Sequence, residues 1–285
     1  MKKKISICVP VLNEEKNIKI LVNKVDIFFK KNLNNKFNYE IIFTDNASSD
    51  QTEKEIINLK KKFKHIRYYR FNKNIGYDLS LLKNYQLSNG DAAISIHCDL
   101  QDPIEKIKQF LSYWLNGHDL VYGKIIKRNE NYILTLLRKI YYFLFNILCF
   151  KNKKLPINAV DFRLIDKKII NKIKKHKKSY SYARGLTYYL SSNPASLNYS
   201  RRKRKFGKSK FNLKNNITYA INSLIKNTNL GQYCLFGSLI NFFYIILFDS
   251  EILFFYTLCI MIIIFLLSKN IFSPNLDKIK IKKFL

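Results

Sequence analysis

The chain lacks the marks of several protein classes at once. Its five cysteines, Cys8, Cys98, Cys149, Cys234 and Cys259, are odd in number and form no C-x-x-C pair. Four of them sit in apolar runs, where a thiol behaves as a small hydrophobe. No disulfide framework is read, and a reduced, cytosol-facing compartment is expected. No internal repeat stands out. No secretory leader is read either: Met1-Lys2-Lys3-Lys4 and the hydrophobic residues after it imitate one, but Asn13-Glu14-Glu15 breaks the run within about eight residues, shorter than most signal h-regions. The segment reads instead as a first strand.

Acid is scarce. Against 51 Lys and Arg the chain has 20 Asp and Glu, a formal net charge of +31. Such a surplus points to nucleic acid, an anionic membrane surface or phosphorylated substrates. Lys, Asn and Ile are all plentiful, a bias that AT-rich coding also produces. Basic stretches with interleaved aromatics, such as Arg67-Tyr68-Tyr69-Arg70-Phe71, motivate a nucleic-acid reading. No recognised nucleic-acid motif accompanies them, and the acids at the predicted strand ends would repel a phosphate backbone, so no nucleic-acid partner is expected. At 47% hydrophobic content, disorder is excluded, and 285 residues suffice for one large domain plus an appendage.

What the chain does have is alternation. Strand-like segments near 5–11, 39–44, 66–71, 92–97 and 119–123 are separated by helix-like segments at 14–31, 51–63, 77–88 and 104–116, the pattern of βα units and a largely parallel sheet. In such sheets ligands bind beyond the carboxyl ends of strands. Polar groups gather at those ends: Pro10 to Glu15 after the first strand, Asp45 to Asp50 after the second, Asn72 to Gly76 after the third, and His97-Cys98-Asp99-Leu100-Gln101-Asp102-Pro103 after the fourth. Asp99, Gln101 and Asp102 offer oxygen ligands within four residues, suited to Mg²⁺ or Mn²⁺ shared with substrate phosphates. The same spacing also serves as a plain helix start.

Two further regions are apolar. Tyr132 to Phe150 is a helix candidate whose polar members, Thr135, Arg138, Lys139, Tyr142 and Asn146, share one stripe; it reads either as an interfacial helix with its basic face outward or as a buried core helix. Gly231 to Phe248 and Ile252 to Ser268 are uncharged, and Asp249-Ser250-Glu251 separates them. These runs are at the short limit for membrane spans, with a buried helical hairpin as the alternative. Basic residues flank both outer ends (Arg201 to Lys205 upstream; Lys278, Lys280, Lys282 and Lys283 downstream), so both ends are expected on the cytoplasmic side of the plasma membrane, against anionic lipids. The expected organisation is a catalytic domain over 1–230, two membrane helices within 231–268 and a basic cytoplasmic tail over 269–285.

In order along the chain, Pro10-Val11-Leu12-Asn13-Glu14-Glu15, Thr44 to Asp50, Asn74-Ile75-Gly76, His97 to Pro103, Tyr122-Gly123-Lys124 with Arg128, Val160 to Leu164, Arg184-Gly185-Leu186, and Tyr199 to Arg202 with Gly207 to Lys210 resemble the motif series of glycosyltransferase family 2. Within it they resemble the polyprenyl-phosphate glycosyltransferases related to dolichol-phosphate mannose synthase and to the bacterial O-antigen glucosyl carrier enzymes. The resemblance implies a Rossmann-like α/β fold of GT-A type followed by membrane helices, a nucleotide-sugar donor, a polyprenyl phosphate acceptor and a divalent metal; homo-oligomers are plausible in such proteins. Residue by residue, it implies that Pro10 and Glu14 contact the nucleoside and ribose and Asp45 the base, with Asn74 and Gly76 in the adjoining turn. Asp99 with Gln101 would hold the metal. Arg128, Arg163, Arg202 and Lys210 become candidates for the donor diphosphate and the acceptor phosphate.

The chain departs from the family at three places: His97 stands where aspartate is usual, Asn46-Ala47 where Asp-Gly is common, and Leu12 where tyrosine is frequent. His97 is therefore carried as a third metal-ligand candidate, or as a group reaching the ribose. The expected chemistry is attack by a lipid phosphate oxygen on the anomeric carbon with inversion. Were the acceptor a sugar hydroxyl instead, as in a transferase building surface polysaccharide on a glycan, a carboxylate base would be required, and Asp161 is the candidate. A non-catalytic relative is the third reading.

Overall fold

The computed structural model describes residues 2–126, 132–148, 155–175, 182–204, 206, 220, 223–224 and 279–284. Eight strands form one sheet: β1 (Lys3–Val11), β2 (Phe37–Asp45), β3 (Ile66–Phe71), β4 (Ala92–Ser95), β5 (Leu120–Ile125), β6 (Ala159–Asp166), β7 (Pro194–Tyr199) and β8 (Ile281–Phe284). Their order is β7-β5-β6-β4-β1-β2-β3-β8. The helices are α1 (Glu15–Asn32), α2 (Thr52–Lys62), α3 (Tyr77–Leu87), α4 (Ile107–Leu115), α5 (Tyr132–Leu148), α6 (Lys167–Lys175) and α7 (Ala183–Leu190).

β1 is central and parallel to both neighbours, pairing Ile5↔Tyr39 on one side and Ile5↔Ala92 on the other. A strand covered on both faces reads as a mostly apolar run: Ile5, Ile7, Cys8 and Val9 are all fully buried, and the one polar residue among them, Ser6, is buried with its hydroxyl donating to Glu40. β4 pairing ends at Cys8↔Ser95, so Pro10, lacking an N–H, removes no bond on that side. α1, α2 and α4 bury one face of the sheet and α3, α6 and α7 the other, giving two core clusters on either side of it. β6 and β8 run antiparallel to their neighbours. The remaining six strands share one direction, so the expected mostly parallel α/β sheet is present.

The chain steps outward from β1 to β2 and β3, then returns to place β4 on the other side of β1. Strand order reverses there, and the crevice beyond the carboxyl ends of β1 and β4 is the topological switch point at which such sheets bind ligands.

Two segments depart from the sequence reading. In α5 the uncharged part of the polar stripe is turned toward the protein. Asn146 exchanges two hydrogen bonds with the Leu155 backbone (2.7 and 3.2 Å), Tyr141 bonds Ser223, and Tyr142 is buried. The outward face carries Leu136, Leu137, Ile140, Phe143, Leu144 and Ile147, all exposed. The cause is polar satisfaction: buried amide and hydroxyl groups need partners, and the neighbouring backbone supplies them. At the other end, the expected tail contains β8, which pairs antiparallel with β3 and buries Ile279 in the core. It covers a sheet edge that would otherwise present unpaired backbone groups. Among the described residues no helix is long and apolar enough to cross a membrane; the expected spans within 231–268 lie outside the described residues.

Candidate functional site

The turns after β1, β2, β3 and β4 each pass through the left-handed region, at Asn13 (φ 51°), Ala47 (φ 62°), Gly76 (φ 85°) and Leu100 (φ 61°). Only the third is glycine, so three side-chain-bearing residues hold a conformation that costs an L-residue roughly 1 kcal/mol or more. The surrounding hydrogen bonds hold them there. Asn13 Oδ1 accepts from the Ser49 amide (2.8 Å), and the Asn13 amide donates to Ser48 Oγ (2.9 Å). Asn46 donates to Asn74 Oδ1 (2.7 Å) and accepts from the Ile75 amide (2.8 Å). Asn74 Oδ1 also takes the Gly76 amide (2.9 Å). Three turns are thereby joined into one floor. Pro10 is half-buried at the end of β1, above the floor's first turn.

Asp45 belongs to the floor rather than to its surface. It is fully buried and accepts from the Ser48 amide (2.8 Å), Tyr68 OH (2.7 Å) and Arg70 (2.8 Å). These three bonds fix Asp45, the residue expected to meet the base, in the turn that follows β2.

Around the β4 end, charges of both signs converge. Asp99 is nearly buried; its Oδ1 accepts from the Gln101 amide (3.2 Å), and its Oδ2 lies 3.9 Å from Arg204. Arg204 in turn pairs with Glu14 (2.9 Å). Gln101 and Arg202 interlock, with the Arg202 amide donating to the Gln101 carbonyl and Gln101 Nε2 to the Arg202 carbonyl. Arg202 extends to Glu105 at the half-exposed rim. The segment after β7 is thus fastened across residues 97–103, and it brings Arg204 to Asp99, Arg201 to Asp102 and Arg202 to Glu105.

His97 is fixed from both ends. Nδ1 meets Asp102 at 2.7 Å and Nε2 meets Tyr77 OH at 3.0 Å, with the two rings stacked 7° from parallel. Burial pushes the ring toward neutrality, but Asp102 outweighs it and raises the His97 pKa above the ordinary histidine value. Both nitrogens of His97, the third expected metal ligand, are engaged by protein groups, Nδ1 by Asp102 and Nε2 by Tyr77. Asp102 is itself saturated, also receiving Tyr199 OH (2.6 Å) and facing Arg201 (3.6 Å).

Behind this surface lies a second charged cluster. Ser95 pairs in register with Arg163, and Arg163, 1% exposed, donates to the Val160 and Arg184 carbonyls and to Thr187. Asp161 receives Arg184 in a fork (2.6 and 3.3 Å) with Arg163 at 3.8 Å. Burial would raise the Asp161 pKa, yet Arg184 and Arg163 hold it well below the usual carboxylate range. A carboxylate so held is a poor proton acceptor at neutral pH, and a guanidinium so enclosed cannot reach a phosphate. Asp161, the expected general base, and Arg163, an expected phosphate ligand, are thus placed together behind the crevice, each paired within the protein. Arg128 and Lys210 lie outside the described residues.

Asp99, Glu14, Gln101 and Arg202 are brought together, and Asn74 and Gly76 sit on the adjoining floor. Sequence reasoning leaves out Arg204, Arg201, Tyr77, Tyr199 and Arg184 as site residues. The run Arg201 to Lys205 reads as a signal of membrane orientation, which hides the pairing of Arg204 with Glu14 across the fold.

The sequence pattern of the glycosyl transferase family 2 domain matches residues 6–174. The chain belongs to glycosyl transferase family 2. It is 31% identical over 210 residues to the prophage bactoprenol glucosyl transferase homolog of Escherichia coli, covering 73% of this chain and 67% of that one. It is 29% identical over 210 residues to an uncharacterized glycosyltransferase of Synechocystis, of which the match spans 64%. Among solved structures, the fold is similar to glucosyl-3-phosphoglycerate synthase of Mycobacterium tuberculosis, with TM-score 0.53, 16% identity and 80% of each chain covered. The family span takes in the floor, the metal motif and β6; Arg184, Arg201, Arg202 and Arg204 lie beyond it.

The resemblance to this family implies a divalent cation, and the donor chemistry accommodates one. No group of three His, Cys, Asp or Glu side chains is gathered among the described residues. What is present is the Asp99 carboxylate with the Gln101 amide, whose oxygen remains after its nitrogen bonds Arg202. Mg²⁺ is commonly held by one or two carboxylates with the rest of its shell from substrate phosphates and water. An all-oxygen pair of this kind fits a metal shared with a diphosphate, and fits a metal held by protein alone poorly.

Proposed function

We propose that the protein transfers a sugar from a nucleotide-sugar to a polyprenyl phosphate at the cytoplasmic face of the plasma membrane. Relatives whose names say bactoprenol glucosyl transferase support the acceptor. The observation that carries the lipid reading is α5: its exposed apolar face of six large side chains is backed by Tyr142, which accepts from Arg184 (3.2 Å), the same arginine that holds Asp161. A large exposed apolar patch on a soluble domain marks a protein or membrane contact. Here it lies one side chain away from the charged centre of the fold.

In this reading Pro10 and Glu14 flank the nucleoside above the floor that Asp45 braces. Asp99 and Gln101 would hold Mg²⁺ or Mn²⁺, which neutralises charge on the leaving diphosphate. Arg201, Arg202 and Arg204 line the anionic groups of donor and acceptor, since their guanidinium forks match phosphate oxygens. A phosphate monoester with second pKa of about 6 is already mostly ionised at neutral pH, so the nucleophile needs no base. That agrees with an Asp161 locked to two arginines.

The membrane hairpin within 231–268 remains part of the proposal. Ser223 packs on α5 and β8 joins the sheet, so both ends of the intervening segment are held on the same domain, as a two-span hairpin requires. The test is release of nucleoside diphosphate from UDP- and GDP-sugars by the protein in membranes, with and without undecaprenyl phosphate, and with Mg²⁺, Mn²⁺ or EDTA. Lipid-dependent, EDTA-sensitive release is expected. Release indifferent to the lipid would overturn the acceptor, and no release with any donor would overturn the reaction.

A further inference from the structure

The edge strand β8 reaches the floor of the site through an unbroken chain of ion pairs. Lys283 meets Glu53 Oε1 at 2.7 Å. Glu53 Oε2 meets Arg70 at 3.1 Å, and Arg70 meets both Asp45 (2.8 Å) and the Ser48 carbonyl (2.8 Å). The backbone makes the same connection: Lys283 is the register partner of Arg70, beside an irregularity between Arg70 and Phe71. Phe284 stacks on Tyr69 at 4.5 Å, and Ile279 is buried among Phe71, Leu79 and Leu81. Nothing in the family span of 6–174 includes this strand.

We infer that β8 is a positioning element for the nucleotide floor, so that the segment following the apolar runs completes the base-side turn and couples its seating to donor binding. The mechanism is competition for one guanidinium. Lys283 occupies one oxygen of Glu53 and leaves the other for Arg70. Without Lys283 the Glu53 carboxylate keeps only Arg70 at 3.1 Å and the charge of Lys282, so it draws Arg70 away from Asp45 and Ser48, loosening residues 45–48, where Ala47 already holds an unfavourable conformation. Consistent with the pairing, the Lys283 hydrogen bond is the first cause holding the Glu53 pKa below its ordinary value. The ion pair is partly exposed and by itself weak. Strand pairing, the Phe284 stack and Ile279 burial make the larger part of the tether.

This inference rests on the proposed nucleotide-sugar reading only for its ligand readout, and the test separates the two. Hydrogen exchange of the amides of residues 46–49 is measured on the full chain without ligand, for the parent protein, Lys283→Ala, Lys283→Arg, Phe284→Ala and a chain ending at residue 278. UDP and GDP affinities, the donor KM and kcat are measured on the same proteins. Exchange is expected about 3-fold faster in Lys283→Ala and Phe284→Ala and at least about 10-fold faster in the truncation, with Lys283→Arg restoring the parent rate. Donor KM should rise in step while kcat holds. Unchanged exchange in Lys283→Ala and Phe284→Ala would overturn the coupling even if the truncated chain failed to fold. Accelerated exchange in proteins that bind neither nucleotide would support the coupling while overturning the donor reading.

Discussion

Two clusters of carboxylates and arginines lie close to each other in this fold and differ in one respect, access to water. At the β4 end, Arg204 links Asp99 to Glu14 and Arg202 pairs with Glu105, with the two arginine side chains 20% and 49% exposed. Asp161 and Arg163 of β6 and Arg184 of α7 form a tighter set, in which the Arg163 side chain is 2%, Asp161 7% and Arg184 20% exposed. The residue types are the same. In the proposed reading the pairs of the first cluster exchange partners when a diphosphate binds, whereas Arg163 and Asp161, nearly dry and tightly paired, have little solvent to take their partners' place. In the proposed reading, substrate chemistry belongs to the first cluster and architecture to the second.

The largest break in that comparison should come from Asp161→Asn. It leaves the buried Arg163 and the partly buried Arg184 without a counter-charge, a change that costs about 3–5 kcal/mol in buried pairs. Denaturant unfolding should show the loss. Because the native pKa of Asp161 lies below its unfolded value, its contribution is fully present above the unfolded pKa of about 3.9 and fades only as pH falls through the acid range. The Asp161→Asn variant should thus be destabilised across neutral pH and converge on the parent in strong acid. Parent-like stability at pH 7 would show that the cluster is not tightly paired.

Asp99→Ala should do the opposite. Its carboxylate has one backbone bond and one distant arginine, so little stability rests on it. Metal-dependent turnover of the nucleotide-sugar should fall about 100-fold to 1,000-fold, roughly 3–4 kcal/mol of transition-state stabilisation, with the unfolding midpoint nearly unmoved. Full activity in this variant would remove Asp99 from the metal.

Arg204→Ala tests the boundary. Arg204 joins Glu14 to Asp99 and is partly open, so its loss should weaken donor binding about tenfold, seen as a raised KM, with stability changed by about 0.5 kcal/mol or less. A several-kcal/mol loss of stability would move it into the architectural class.

Legibility of the sequence follows the same divide. Strands near 5–11, 39–44, 66–71, 92–97 and 119–123 correspond to β1 through β5 because a parallel central sheet demands continuous apolar runs, and the acids at their ends stand out against them. β6 reads as a motif and not as a strand, since Asp161 and Arg163 interrupt its apolar pattern. That interruption is the clue to an internal ion pair, yet charged residues in a motif look alike whether they face a crevice or the core. β7 begins with Pro194 and carries polar residues, and β8 finds its partner β3 far away in sequence, so neither leaves a local periodic signal. His97 shows the limit of motif transfer: a ring in place of a carboxylate is legible, but its capture between Tyr77 and Asp102 depends on contacts that only the folded chain makes.

The smallest expected effect concerns the floor beneath both clusters. Ala47 occupies φ 62° in the turn that Asp45, Ser48 and Arg70 hold in place. Glycine relieves the Cβ clash of that conformation, worth about 1–2 kcal/mol, but adds freedom to the unfolded chain worth about 0.4–1 kcal/mol. Ala47→Gly should therefore stabilise the protein by roughly 0.5–1 kcal/mol in denaturant unfolding. It should also slow amide exchange at residues 46–49, because the strain that favours opening of the turn is gone. Destabilisation would mean that the turn relaxes around alanine without strain, and that the hydrogen bonds from Asn13, Asn46 and Arg70 are what define the floor.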